Sequence, residues 1–129
     1  MNTNPQDGVR VVIVGGAGLI GHHLALRLKT IGAEPHVIDS LQVNNLGAFT
    51  GSMNDKQNAL YVEFIHERLD LLHSCEIPLH VVDARDYQLM SRLLNEISPD
   101  VVVHLAAVAH ANRSNKDPYS TFDHSFRTL

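Results

Sequence analysis

Apolar residues along this chain fall into blocks of two kinds: short near-continuous runs, and longer stretches with a three-to-four-residue period. Val9-Arg-Val-Val-Ile-Val14 is of the first kind and suits a parallel strand buried on both faces. Behind it the period predicts a helix from about Gly18 to Gly32, with Leu19, Ile20, Leu24, Leu28 and Ile31 as its apolar stripe. Pro35 to Asp39 reads as a second strand, and Ser40 to Asp55, rich in Asn, Gly and Ser, as a long loop. A helical period returns from Lys56 to Ser74, with Tyr61, Phe64, Ile65, Leu69 and Leu72 inward and Glu63, Glu67, Arg68 and Asp70 outward. Ile77 to Val82 follows as a third strand. Asp86 then stands as the N-cap of a helix over Tyr87 to Ile97, whose inner face is Tyr87, Met90, Leu93, Leu94 and Ile97. Ser98-Pro99-Asp100 stops that helix, Val101 to Ala107 reads as a fourth strand, and a last helix begins near Pro118.

Three glycines at three-residue intervals, Gly15, Gly18 and Gly21, join the first strand to the first helix. This is the strand–turn–helix arrangement that holds a pyrophosphate. The first glycine makes the tight turn, the second admits the phosphates to the backbone, and the third lets the helix pack closely. The helix N-terminus adds free N–H groups and a partial positive charge. Asp39 lies eighteen residues beyond Gly21 at the end of the second strand, where such folds place an acid for the adenosine ribose. The order β-α-β-α-β-α-β-α therefore predicts an α/β fold, a partial Rossmann-type doubly wound parallel sheet with strand order 3-2-1-4. Later strands that complete such a sheet are lacking. Residues 1–8 read as a disordered leader and 9–129 as the N-terminal portion of a dinucleotide-binding domain. The fourth strand would be an apolar sheet edge; it and the last helix are the candidate surfaces for a homo-oligomer.

Composition narrows the partners. With 129 residues, 44% of them apolar, the chain has room for one globular core. A net charge of −4 with scattered basic residues leaves no electrostatic footprint for nucleic acid. No apolar run is long enough for a membrane span, and the N-terminus lacks a signal-peptide pattern. Cys75 stands alone, which excludes an internal disulfide and points to the cytoplasm; it reads as a small packing residue. Nine histidines suggest a metal, but their spacings supply no ligand set, and His104 reads as a hydrogen-bonded core residue. No metal site is expected.

Taken together, Gly15-Gly-Ala-Gly-Leu-Ile-Gly21, Asp39-Ser-Leu41, Asp83-Ala-Arg-Asp86, His104-Leu-Ala-Ala107 and the Ser114…Pro118 spacing resemble the extended short-chain dehydrogenases/reductases. Within them the chain is most similar to the N-terminal part of the NAD-dependent epimerase/dehydratase family, which modifies nucleotide sugars. The resemblance implies NAD as cofactor. Backbone at Leu19 and Ile20 would meet its pyrophosphate, and Asp39 with Ser40 the ribose. Asp83 and Ala84 would take the adenine edge, while Leu105, Ala106 and Ala107 flank the diphosphate and inner ribose. An acid at position 39 with no Arg after it favours NAD over NADP, because a carboxylate repels a 2′-phosphate. The family's chemistry uses a Tyr-x-x-x-Lys pair, the lysine lowering the tyrosine's pKa. Here Tyr61, Tyr87 and Tyr119 are followed four residues on by Ile65, Ser91 and Asp123, so no catalytic residue is assigned. The last helix also departs from the family's Asp-x-Asn-x-x-Gly-Thr, carrying Ser125 and Thr128 in place of Asn and Gly. The loop bearing His110, Asn112, Arg113 and Ser114 would border the sugar in a full-length parent. Two functions follow: the NAD-binding portion of a nucleotide-sugar epimerase or dehydratase, catalytically incompetent alone, or a stand-alone nucleotide-binding or oligomerising module.

Overall fold

The structure, a computed structural model, describes residues 4–42, 56–107 and 117–128. Most of the loop expected after Asp39, and the loop carrying His110, Asn112, Arg113 and Ser114, lie outside the described residues. The elements run β1 (Arg10–Val14), α1 (Leu19–Thr30), β2 (Glu34–Asp39), α2 (Lys56–Ser74), β3 (Leu79–Val81), α3 (Tyr87–Ile97), β4 (Val101–His104) and α4 (Pro118–Phe126). The strands form one parallel sheet in the order β3-β2-β1-β4.

β1 is the central strand, and its alternation builds two cores. Val11 and Ile13 face one side with Val37, Ala25, Leu72 and Ile77; Val12 and Val14 face the other with Ile38 and Ile97. The first layer is closed by α1 and α2, the second by α3. A strand in this position has no polar side to offer, which is why its sequence is a continuous Val/Ile run.

Strand ends differ from the sequence pattern for local reasons. β3 is shorter than expected, although Val37 N–H still donates to Pro78 O (2.9 Å) and Val82 N–H to Asp39 O (3.1 Å) on either side of it. β4 ends at His104. Leu105 N–H makes one more bond, to Val14 O at 2.7 Å, before the chain meets the turn after β1. The helix boundaries agree closely, and Asp86 caps α3 by accepting from Leu89 N–H at 3.0 Å. Residues 4–8, expected to belong to a disordered leader, form a turn tied to the end of α1: Gly8 N–H donates to Gly32 O at 3.0 Å, and the Asn4 amide donates to Ile31 O.

Helix faces needed more correction. Leu19 and Ile20 are not part of the buried stripe of α1 but are 62% and 71% exposed; Gly21, His22 and Ala25 are buried instead. On α2, Ile65 and Leu72 are buried as expected, but Phe64 is 47% exposed. Arg68, expected to face outward, is half-buried. Tyr87, placed on the inner face of α3 by its spacing, is exposed and donates its hydroxyl to Arg127 O at 2.7 Å.

Leu72→Ala is expected to destabilise the fold by about 2–5 kcal/mol, the usual cost of emptying a buried leucine site. Phe64→Ala, one helix face away, should cost under about 1 kcal/mol. Urea unfolding midpoints of the two variants check this, and equal losses would contradict the assigned helix orientation.

Candidate functional site

The turn after β1 is held from below and from the side. Gly15 has φ +79°, a region that L side chains rarely adopt, and a Cβ there would lie 2.7 Å from Ala106 N and 2.9 Å from its Cα. The ends of β1 and β4 thus touch backbone to backbone. Gly21 serves a similar purpose on α1: a Cβ would come within 2.5 Å of Gly16 Cα, so the helix seats directly on the turn. Gly18 is different. Its Cβ would meet only Gly15 O, at 3.5 Å, leaving the other side open.

β2 supplies the rest of the clamp. Gly15 N–H donates to Ile38 O at 2.7 Å, and Ala17 N–H donates to Asp39 Oδ2 at 3.0 Å. The other oxygen, Oδ1, accepts from Leu41 N–H at 2.8 Å. Asp39 therefore fixes both the glycine turn and its own exit loop. Leu41 lies at φ +59°, and the reversal it makes leaves Ser40 and Gln42 both lining the cleft.

That cleft, about 360 Å³, opens at the carboxyl ends of the strands. Gly15, Gly18 and Leu19 line it from the turn, and Asp39 and Ser40 from the end of β2. Asp83 and Ala84 enter after β3, and Leu105, Ala106 and Ala107 after β4. Ile20 and Gly21 belong to the same first helical turn but do not line the cleft, so only their backbone N–H groups are relevant to it. The sequence reading missed Gln42, Tyr61, Arg68 and Thr128, along with the strand residues Val14, Ile38 and Val82. Tyr61 and Arg68 flank Ile65 at helical spacing, which could have placed both beside the core.

Asp83 is neutralised in place. Arg85 donates Nε to its Oδ1 at 3.0 Å and NH2 to its Oδ2 at 2.6 Å, and Arg85 N–H adds a bond of 2.9 Å. The same guanidinium reaches α4 through NH1, 2.6 Å from Asp123 Oδ2, and Arg127 closes the network at 2.7 Å from Asp123 Oδ1. Arg127 and Arg85 together hold the Asp123 carboxyl below its ordinary range, and Asp83, then Asp123, raise the Arg85 guanidinium. Directly after Arg127, at the carboxyl end of α4, Thr128 Oγ1 lies 3.2 Å from His104 Nε2 and lines the cleft. His104 is thus a hydrogen-bonded, half-buried residue. Among the described residues, no group of three or more His, Cys, Asp or Glu side chains could hold a metal, and no helix is long and apolar enough to cross a membrane.

Residues 11–128 match the NAD dependent epimerase/dehydratase family. The chain belongs to this family. A probable UDP-arabinose 4-epimerase of Arabidopsis thaliana is 31% identical over 114 residues, covering 88% of this chain and 24% of that protein. A UDP-glucose 4-epimerase of Neisseria meningitidis is 26% identical over 116 residues, covering 90% and 29%. Among solved structures, the UDP-glucose 4-epimerase of Thermus thermophilus in complex with NAD superposes with a TM-score of 0.66. It is 28% identical, covering 93% of this chain and 31% of that one. The UDP-glucose 4-epimerase of Stenotrophomonas maltophila, with NAD and formylated UDP-arabinopyranose bound, gives a TM-score of 0.63 at 29% identity, covering 90% and 30%. The chain spans about a quarter to a third of the relatives it matches. The four-stranded sheet in order 3-2-1-4 is the corresponding part of their Rossmann-like fold.

Acid should loosen this structure in two steps. His22, on the buried face of α1, donates Nδ1–H to Gly18 O (2.8 Å), and burial holds its pKa below the ordinary value. The unfolded chain therefore takes up a proton first, and stability falls as pH drops below about 6.5. The Asp123 contribution is present above the ordinary carboxylate range and is lost only as pH falls through its lowered pKa. Urea midpoints at pH 7.5 and pH 5.5 are expected to differ less in His22→Gln than in the parent chain; an unchanged difference would remove His22 from the acid response.

Proposed function

We propose that this chain is the NAD-holding part of a nucleotide-sugar epimerase or dehydratase, and that alone it binds the dinucleotide without turning over substrate. The observation that carries the reading is the uncapped N-terminus of α1 at the gap between β1 and β4. Gly18 offers no side-chain cap and the first turn holds no acid, so the N–H groups of Leu19, Ile20 and Gly21 have no competitor for an anion. Open space beside Gly18 and the small wall of Ala106 and Ala107 leave room for a diphosphate.

Asp39 suits the adenosine ribose. Each of its oxygens accepts one backbone N–H, and each keeps a lone pair for a hydroxyl donor. Asp83, held by Arg85, and Ala84 suit the adenine edge, Asp83 as acceptor and Ala84 as a small wall. When bound, the nicotinamide of NAD supplies the hydride acceptor. This chain's residues hold the other half of the molecule. The epimerase names of the relatives support a nucleotide sugar as the substrate class, and the lack of any Tyr-x-x-x-Lys pair in the sequence supports absence of turnover by these residues alone. The lone Cys75 fits a cytoplasmic setting. The half-exposed Val101 and Val102 on the β4 edge are where a further strand or a second copy would pair.

Calorimetric titration with NAD tests the reading: weak but saturable binding is expected, with no epimerisation of UDP-glucose. Asp39→Ala should weaken NAD by about tenfold, the loss expected for hydrogen bonds to a charged group. An unchanged affinity would sink the ribose assignment, and no binding of NAD at all would sink the dinucleotide reading.

A further inference from the structure

Arg68 is the cleft residue that no motif marks. It stands on α2 two turns beyond Tyr61, and both line the cleft near the end of β2. Among the described residues no carboxylate lies within ion-pair distance of it, whereas Arg85, the other arginine lining or adjoining the cleft, is paired with both Asp83 and Asp123. A half-buried arginine that lines an open cleft, with no carboxylate beside it among the described residues, has an unfilled electrostatic role.

Topology says which part of a dinucleotide it faces. α1 and α2 pack on the same side of the sheet through one cluster. α2 leads from β2 to β3, and its Tyr61 and Arg68 line the cleft together with Asp39, Ser40 and Gln42 from the end of β2. The diphosphate belongs to the gap between β1 and β4 and the adenosine ribose to the β2 end. Ser40, Gln42 and Tyr61 line this same end, adding hydroxyl and amide groups around the guanidinium.

Charge balance completes the case. Asp83 is offset by Arg85, which leaves Asp39 and Arg68 as the opposing charges among the described residues that line the cleft. The acid at position 39, taken alone, argues against a 2′-phosphate. Its repulsion is reduced by the two backbone N–H groups it accepts and is opposed by the arginine from α2.

We propose that Arg68 is the counter-ion for a phosphate on the adenosine ribose, so that this cleft takes the 2′-phosphorylated dinucleotide NADP as well as NAD. The inference rests on the dinucleotide reading above. It makes Arg68 a specificity-determining residue delivered by tertiary structure, not by the loop after β2.

The test is calorimetric titration of the whole chain with NAD, NADP, AMP and 2′,5′-ADP in one buffer. NADP is expected to bind within about tenfold of NAD, since one attraction offsets one repulsion. Arg68→Gln should weaken NADP and 2′,5′-ADP by at least about tenfold and change NAD and AMP by less than about twofold. Arg68→Lys keeps the charge without the planar fork and should show a smaller loss confined to the 2′-phosphorylated ligands; it serves the same comparison if the glutamine variant loses its helical circular dichroism. NADP binding more than about a hundredfold weaker than NAD, or an equal loss for all four ligands in Arg68→Gln, overturns the proposal while leaving the dinucleotide reading standing. Binding of none of the four overturns the dinucleotide reading and this inference together.

Discussion

The backbone contact between Gly15 and Ala106 is the constraint on which the rest of the cleft depends. β1 and β4 can end side by side only because no side chain stands between them. Their approach fixes the height of the turn, and the turn fixes where α1 begins. Gly21 against Gly16 then sets how deeply the helix seats. A methyl group at either position would meet backbone, which has no rotamer to escape into. The open space beside Gly18 is what is left over when those two contacts are satisfied.

Asp39 has a part in this that its usual assignment hides. Its carboxylate receives N–H groups from Ala17 and from Leu41, so it braces the glycine turn before any ligand arrives. A residue already ordered by its own backbone bonds loses little freedom when a hydroxyl docks on it. In the proposed reading the same geometry serves the turn and the ribose.

Much of this was legible in the sequence because it depends on local period and spacing. The continuous Val/Ile run of β1, the glycine intervals, the Asp86 cap and the small residues after β4 each have one strong physical reading. What stayed hidden depends on which helix face meets which neighbour. Leu19 and Ile20 look like the start of an apolar stripe, yet the first turn of α1 borders an opening instead of the core. Arg68 sits one position before Leu69 of the expected inner row of α2, and a long side chain can reach from there into the cleft. The pairing of Arg85 with Asp123 joins residues thirty-eight apart, and no local pattern announces it.

That pairing also shows how α4 is held beside the cleft, which Thr128, just after the helix, lines. Asp123 is held by Arg85 from the loop after β3, Arg127 O by the Tyr87 hydroxyl from the start of α3, and Thr128 by His104 from β4. The helix is thereby tied to strands on both sides of β1 in the sheet. Asp83, at the cleft, shares its guanidinium with Asp123, on α4, so a change at either carboxylate is felt at the other. With Asp83 satisfied in this way, the excess of negative charge among the acids that line the cleft is less than their number suggests. Among the described residues, the cation left over at its edge is Arg68.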